Sequence, residues 1–245
     1  MIPAKPIVYE FRRLRRQGVS ALYAIILLLF VLLVRVFPPD VRSTMLPFVL
    51  FSEPVIVGYI LSGGIFFMEL EQNTHALYQL MPAGVWRYLI LRITTFAIYG
   101  GIGGAFLTVG AMLGAESSSM LVLHTMAAGI LCFVAAPAFT ALGVFSAALF
   151  STINGFIIKG VVFLLPMMGT IASVFIPGVA RITALGILPG GGFFLFLGGF
   201  LPQPMPATPF RYILGAVNIV GWTAVGVSMA RNRMGKRLVR EGVVE

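Results

Sequence analysis

The run VSALYAIILLLFVLLVRVF, residues 19–37, holds no charged side chain before Arg35. It matches the ~20 apolar residues that a helix needs to cross a bilayer. A helix apolar nearly all round belongs in a large core or in a membrane. Comparable windows follow near 47–67, 93–114, 120–149, 156–177 and 210–230. Of the 245 residues, 59% are hydrophobic and only 10% charged, against ~25% charged in a soluble domain. Mean hydropathy is +1.00. Too little polar surface remains to cover a water-soluble globule, so the chain reads as an all-α integral membrane protein with six transmembrane helices. The first run is too long for a signal-peptide core and has no small-residue cleavage site after it, so it reads as a retained span. The fourth window is long, and it is expected to be tilted or broken near Pro137.

A seventh apolar stretch, TALGILPGGGFFLFLGGFL (183–201), is interrupted at Pro189-Gly190-Gly191-Gly192 and followed by PQPMPATP. Proline and glycine open a helix there. The distribution of basic residues decides between six spans and seven. With a cytoplasmic N-terminus, Lys5, Arg12, Arg13, Arg15, Arg16, Arg87, Arg92 and Lys159 lie inside. Six spans keep Arg231, Arg233, Lys236, Arg237 and Arg240 inside as well, leaving Arg35, Arg42, Arg181 and Arg211 outside or at the outer interface. Seven spans would export the five tail charges. The reading is therefore an N-terminal amphipathic interfacial segment (1–18), one six-helix domain (19–230) and a cytoplasmic basic tail (231–245). Within that domain, about 178–209 forms a re-entrant outer element. The protein is expected to be multi-pass in the cell inner (plasma) membrane, with both termini cytoplasmic.

Between the second and third spans lies MELEQNTHALYQLMP, Met68–Pro82, which holds two of the eight carboxylates. Asn73 or Thr74 can cap a short helix, with Glu69 and Glu71 near its positive end. Ala76, Leu77, Leu80 and Met81 give it an apolar face, and Pro82 stops it. An ordinary surface loop and a helix docking into a soluble partner both fit this pattern. At the N-terminus, Val8, Phe11 and Leu14 share one side of IVYEFRRLRRQG, and the arginines suit anionic headgroups. Membrane lipids therefore account for the net charge of +9, and no nucleic acid is expected.

The stretch from Glu69 to Pro82, followed by RYLILR, resembles the coupling-helix segment of type-2 ATP-binding-cassette (ABC) exporter permeases. Glu69, Thr74, Pro82, Tyr88 and Arg92 fall at matching places; Asn73 and Met81 stand where the family usually has glycine and threonine. Residues 20–64 and 149–160 are similar to fluoroquinolone-export-type permease subunits, through Arg35, Pro38, Phe51-Ser52-Glu53-Pro54 and LFSTINGFIIKG. The resemblance implies a coupling helix at about 69–82, with Glu69, Glu71, Thr74, Leu77, Leu80, Pro82 and Arg87 contacting ABC ATPase subunits. It also implies a second permease subunit, identical or paralogous, and export of an amphipathic small molecule such as a fluoroquinolone. No G-x-x-x-x-G-K-[ST] loop occurs in the sequence, so the chain is not expected to be an enzyme. No cofactor is expected in it; ATP and Mg would belong to the partner ATPase.

Glu53 is an acid inside an apolar window, where burial costs about 2.5–3.5 kcal/mol. Either it faces a substrate pathway, or it pairs with Arg35 or Arg42, or it caps a helix broken at Pro54. Tyr59 and Phe66 are further pathway candidates, although aromatic stripes also serve packing. Gly100-x-x-x-Gly104 and Gly110-x-x-x-Gly114 suit close helix contact. A lone Cys132, two histidines (His75 and His124) and one aspartate (Asp40) leave little material for a metal cluster or an intramembrane protease. A secondary transporter, or an ABC permease for lipid, polymer or haem, is the alternative.

Overall fold

The computed structural model describes residues 4–71, 84–114, 117–150 and 152–240. Among them every regular element is helical. Helix α1 (Ala4–Arg16) meets α2 (Val19–Arg35) at a 74° bend. Gly18 makes the corner with φ 77°, a left-handed conformation that glycine adopts without strain. A second span runs from Pro39 to Glu69 as α3 (Pro39–Pro54), a π-helical segment (Val55–Leu61) and α4 (Ser62–Glu71). Then come α5 (Gly84–Met112), α6 (Ser118–Ala147), α7 (Ile153–Ser173), α8 (Val179–Ile187), α9 (Gly191–Phe196) and α10 (Pro209–Arg240). Among the described residues five helices are long and apolar enough to cross a membrane, and six if the bent pair α1–α2 is one span. The chain is an all-α, multi-pass membrane protein.

One expectation about element shape is narrowed and one changes. Of the two forms expected for the fourth window, tilted or broken, the break does not occur: α6 runs unbroken through Pro137. The second span begins at Pro39 rather than near residue 47, because Pro39 at the first helical position and Asp40 in the first turn start a helix well. Pro54, which lacks an N–H for the ladder, does not end the span; the helix continues as a π segment, a local widening that absorbs such a misfit.

α5 and α6 form the centre of the bundle. A Cβ on Gly100 would stand 3.1 Å from the Ala136 methyl, and one on Gly104 would stand 3.0 Å from the Ala128 carbonyl. The Gly100-x-x-x-Gly104 face thus seats α6 within this chain. Arg35 crosses to the far end of α5, donating to the Gly110 and Leu113 carbonyls at 2.7 and 3.1 Å. These are carbonyls that the helix end leaves without partners.

The stretch after α7 folds as expected for a broken element. α8 ends at Ile187 and α9 starts at Gly191, with Gly190 at φ 82° between them. Irregular backbone packed inside protein needs bonded partners for its polar groups, and several are supplied here. Asn218 of α10 reaches the Leu185, Gly186 and Leu188 carbonyls and accepts from the Gly192 N–H. Trp222 donates to Ile187 at 2.9 Å, and Thr170 to Pro189 at 2.9 Å. Arg181 and Arg211, both buried, bond the Gln203 and Met205 carbonyls and tie down the segment between α9 and α10.

Candidate functional site

Helix α1 has two sharply different sides. Val8, Tyr9, Arg12, Arg15 and Arg16 are exposed, while Glu10 and Leu14 are buried. Glu10 and Arg13, three residues apart, project from one face of the helix and pair at 3.1 Å. That face lies on α5, where Phe11 stacks on Tyr99 at 4.9 Å. The sequence pattern Val8–Phe11–Leu14 is therefore divided: Leu14 and Phe11 pack into protein, and Val8 stays outside.

Under α1 the two carboxylates and two guanidinium groups form one enclosed cluster. Arg92 of α5 places Nη1 2.6 Å from Glu10 Oε1, and its Nη2 pairs with Glu69 of α4. Arg13 also pairs with Glu69. Tyr88 donates to Glu69 Oε2 at 2.7 Å and accepts from Arg92 Nε at 3.2 Å. Glu10, Glu69 and Arg92 are each 1% exposed. Burial of such charges is tolerable because the cluster is neutral as a whole and the guanidinium fork meets two carboxylates at once. Three helices, α1, α4 and α5, are joined at this point.

Glu69 is thus engaged inside the chain, one end of a segment whose other end is held by Tyr88 and Arg92. Glu71 closes α4, and Arg87 is exposed on the first turn of α5. Thr74, Leu77, Leu80 and Pro82, with most of the expected coupling helix at 69–82, lie outside the described residues. Glu10 and Arg13 were not singled out from sequence. The signal was present: Glu10 is the only acid before Asp40, and it sits on the helix face opposite three arginines.

Glu53 is 2% exposed and lies about 20 Å from the start of α3 at 1.5 Å per residue. Its partner is Tyr23 of α2, which donates to the carboxylate. No ion pair with Arg35 or Arg42 forms, since those arginines bond backbone carbonyls at the opposite end of α2. Tyr23 also lies 3.0 Å from the Tyr99 carbonyl. A Cβ on Gly103 would collide with both the Tyr23 hydroxyl and the Glu53 carboxylate. We therefore expect Gly103→Ala to force this buried pair apart and to destabilise the protein by about 1–3 kcal/mol. The check is the thermal unfolding midpoint in detergent, with Gly64→Ala, where a Cβ would meet nothing within 4 Å, as control.

Tyr59 and Phe66 are buried too. Tyr59 donates to the Gly160 carbonyl of α7 at 2.8 Å, and Phe66 packs edge-on against Phe67 and Tyr88. All three pathway candidates are therefore closed off by protein in this conformation. A small open groove, about 60 Å³ in volume, lies elsewhere, between α3, α5, α6 and the segment after α9. Leu46, Leu50, Met112 and Phe200 give it an apolar lining, with Ser43, Thr108 and His124 as polar points.

Comparison with protein-family models, curated proteins and solved structures finds no match to this chain.

Proposed function

We propose that this chain is the membrane subunit of an ATP-driven exporter, on the plan of the type-2 ABC permeases, moving an amphipathic small molecule outward. The observation that carries this reading is the cluster of Glu10, Arg13, Glu69, Tyr88 and Arg92. It ties Glu69 of α4, which precedes residues 72–83 in the chain, to Tyr88 and Arg92 of α5, which follow them, so a push delivered at Glu69 or Tyr88 would reach α1, α4 and α5 together. Such an arrangement suits a segment that receives motion from a soluble partner. The resemblance of residues 69–92 to a coupling helix supports the same reading.

ATP and Mg then belong to a separate ABC ATPase subunit, and the chain itself is not an enzyme. Of the most apolar 18 residues in α7 and in α10, only 22% and 28% are buried, leaving faces for lipid and for a second permease subunit. The groove between α3, α5 and α6 is too small in this conformation to hold an amphipathic small molecule whole, and it offers only an apolar contact point open to one side. Its lining favours an amphipathic compound over a strongly charged one.

The test is reconstitution with the ATPase subunit in vesicles. Leu77→Asp and Leu80→Asp are expected to leave ATP hydrolysis running while export falls to background. Export by the chain alone on an ion gradient, with no response to ATP, would overturn the proposal in favour of a secondary transporter.

A further inference from the structure

The outward side of α1 has no role in the cluster, yet its composition is specific. Val8 is 48% exposed and Tyr9 66% exposed, and Arg12, Arg15 and Arg16 share their side of the helix. At 74° to α2, α1 runs close to the membrane plane if α2 crosses the bilayer. It does so at the level of Arg92, where the apolar part of α5 begins. Trp86 lies at the same end, 45% exposed, with the Arg231 guanidinium 5.8 Å from its ring centre. Aromatic rings beside arginines at the start of apolar spans are the composition of a headgroup layer. An acidic soluble partner would meet the arginines but would leave Val8 and Tyr9 unexplained.

The two faces of α1 belong to one short rigid rod, hinged at Gly18. Whatever holds Arg12, Arg15 and Arg16 against the membrane also holds Glu10 and Arg13 against Arg92 and Glu69. We infer that the outward face of α1 binds anionic lipid headgroups, and that this binding keeps the internal Glu10–Arg92 ion pair closed. The inference rests on the membrane-spanning fold and not on the ATP-driven reading, so either can fail alone. Its chemical basis is attraction between arginines and phosphate groups near the bilayer surface, where each basic residue adds to binding and salt weakens it.

The experiment is hydrogen–deuterium exchange on the full chain in nanodiscs of phosphatidylcholine, with and without phosphatidylglycerol. Backbone amides of residues 8–16 and 84–92 are expected to exchange about tenfold more slowly with the anionic lipid, as several arginine–headgroup attractions together allow. The triple variant Arg12→Gln, Arg15→Gln, Arg16→Gln should lose that difference while keeping its unfolding midpoint in phosphatidylcholine. Replacing the same three residues by lysine should retain it. Glu10→Gln should keep the lipid response in 8–16 and lose it in 84–92. Equal exchange in both lipids, or a response surviving in the glutamine variant, would overturn the lipid surface. Inorganic phosphate reproducing the effect in phosphatidylcholine alone would overturn the headgroup as its source. An undiminished response of 84–92 in Glu10→Gln would overturn the coupling.

Discussion

Arg92→Leu is expected to destabilise the protein by about 3–5 kcal/mol, the range for removing one partner of a buried ion pair. The loss follows from the position of Arg92 between Glu10 and Glu69. Without it two buried carboxylates share only Arg13, and one negative charge is left uncompensated. Removing the matching acid as well tests whether charge balance is the cause. Arg92→Leu combined with Glu69→Leu restores neutrality and should recover a substantial part of the loss, which a double-mutant cycle reads directly. Arg92→Lys should fall between, because an ammonium on a single stem cannot span two carboxylates as the planar fork does. The measurement is thermal or denaturant unfolding of purified protein in one detergent. A double variant no more stable than Arg92→Leu would show that packing of the side chain, not its charge, holds the three helices.

The bundle was legible in sequence wherever the signal was local. Apolar length marked the spans, and Pro189 with its three glycines marked the break that separates α8 from α9. The second span starts earlier than its apolar window near 47, because proline followed by an acid, as at Pro39-Asp40, also begins a helix. Glu69 shows a different limit. Read against its chain neighbours, it is an acid near the positive end of a short helix. In the fold its partners lie 23 residues ahead at Arg92 and 56 residues back at Arg13, and no periodicity links such separations. Glu53 shows the same limit: the sequence offers Arg35 and Arg42 as partners, whereas α3, starting at Pro39, carries it down to Tyr23. Asn218 is the clearest omission. A polar amide inside an apolar span marks a place where something needs hydrogen bonds, and the broken element was already in view.

That amide supports the second large effect. Asn218 Oδ1 accepts from the Gly192 N–H at 2.9 Å, while Nδ2 lies 3.3, 2.9 and 3.0 Å from the carbonyl oxygens of Leu185, Gly186 and Leu188. Asn218→Leu removes all of these contacts at once and supplies nothing in return, although the Leu188 carbonyl keeps another donor, the Gly191 N–H at 3.0 Å. A buried backbone group left unbonded costs about 1–3 kcal/mol, so the variant is expected to lose at least ~3 kcal/mol even if the chain relaxes around some of them. Asn218→Asp separates the two halves of the amide: it can still accept from Gly192 but turns a carboxylate toward three carbonyl oxygens. It should be no more stable than the leucine variant, despite its near-identical shape. The damage should stay local, because Trp222 and Thr170 continue to hold Ile187 and Pro189. Hydrogen exchange should therefore accelerate across 185–192 while the amides facing α5 in α6 keep their protection. If Asn218→Leu left both the unfolding midpoint and the exchange of 185–192 unchanged, water or lipid headgroups would be bonding the break instead, and the broken element would have to lie at the membrane surface.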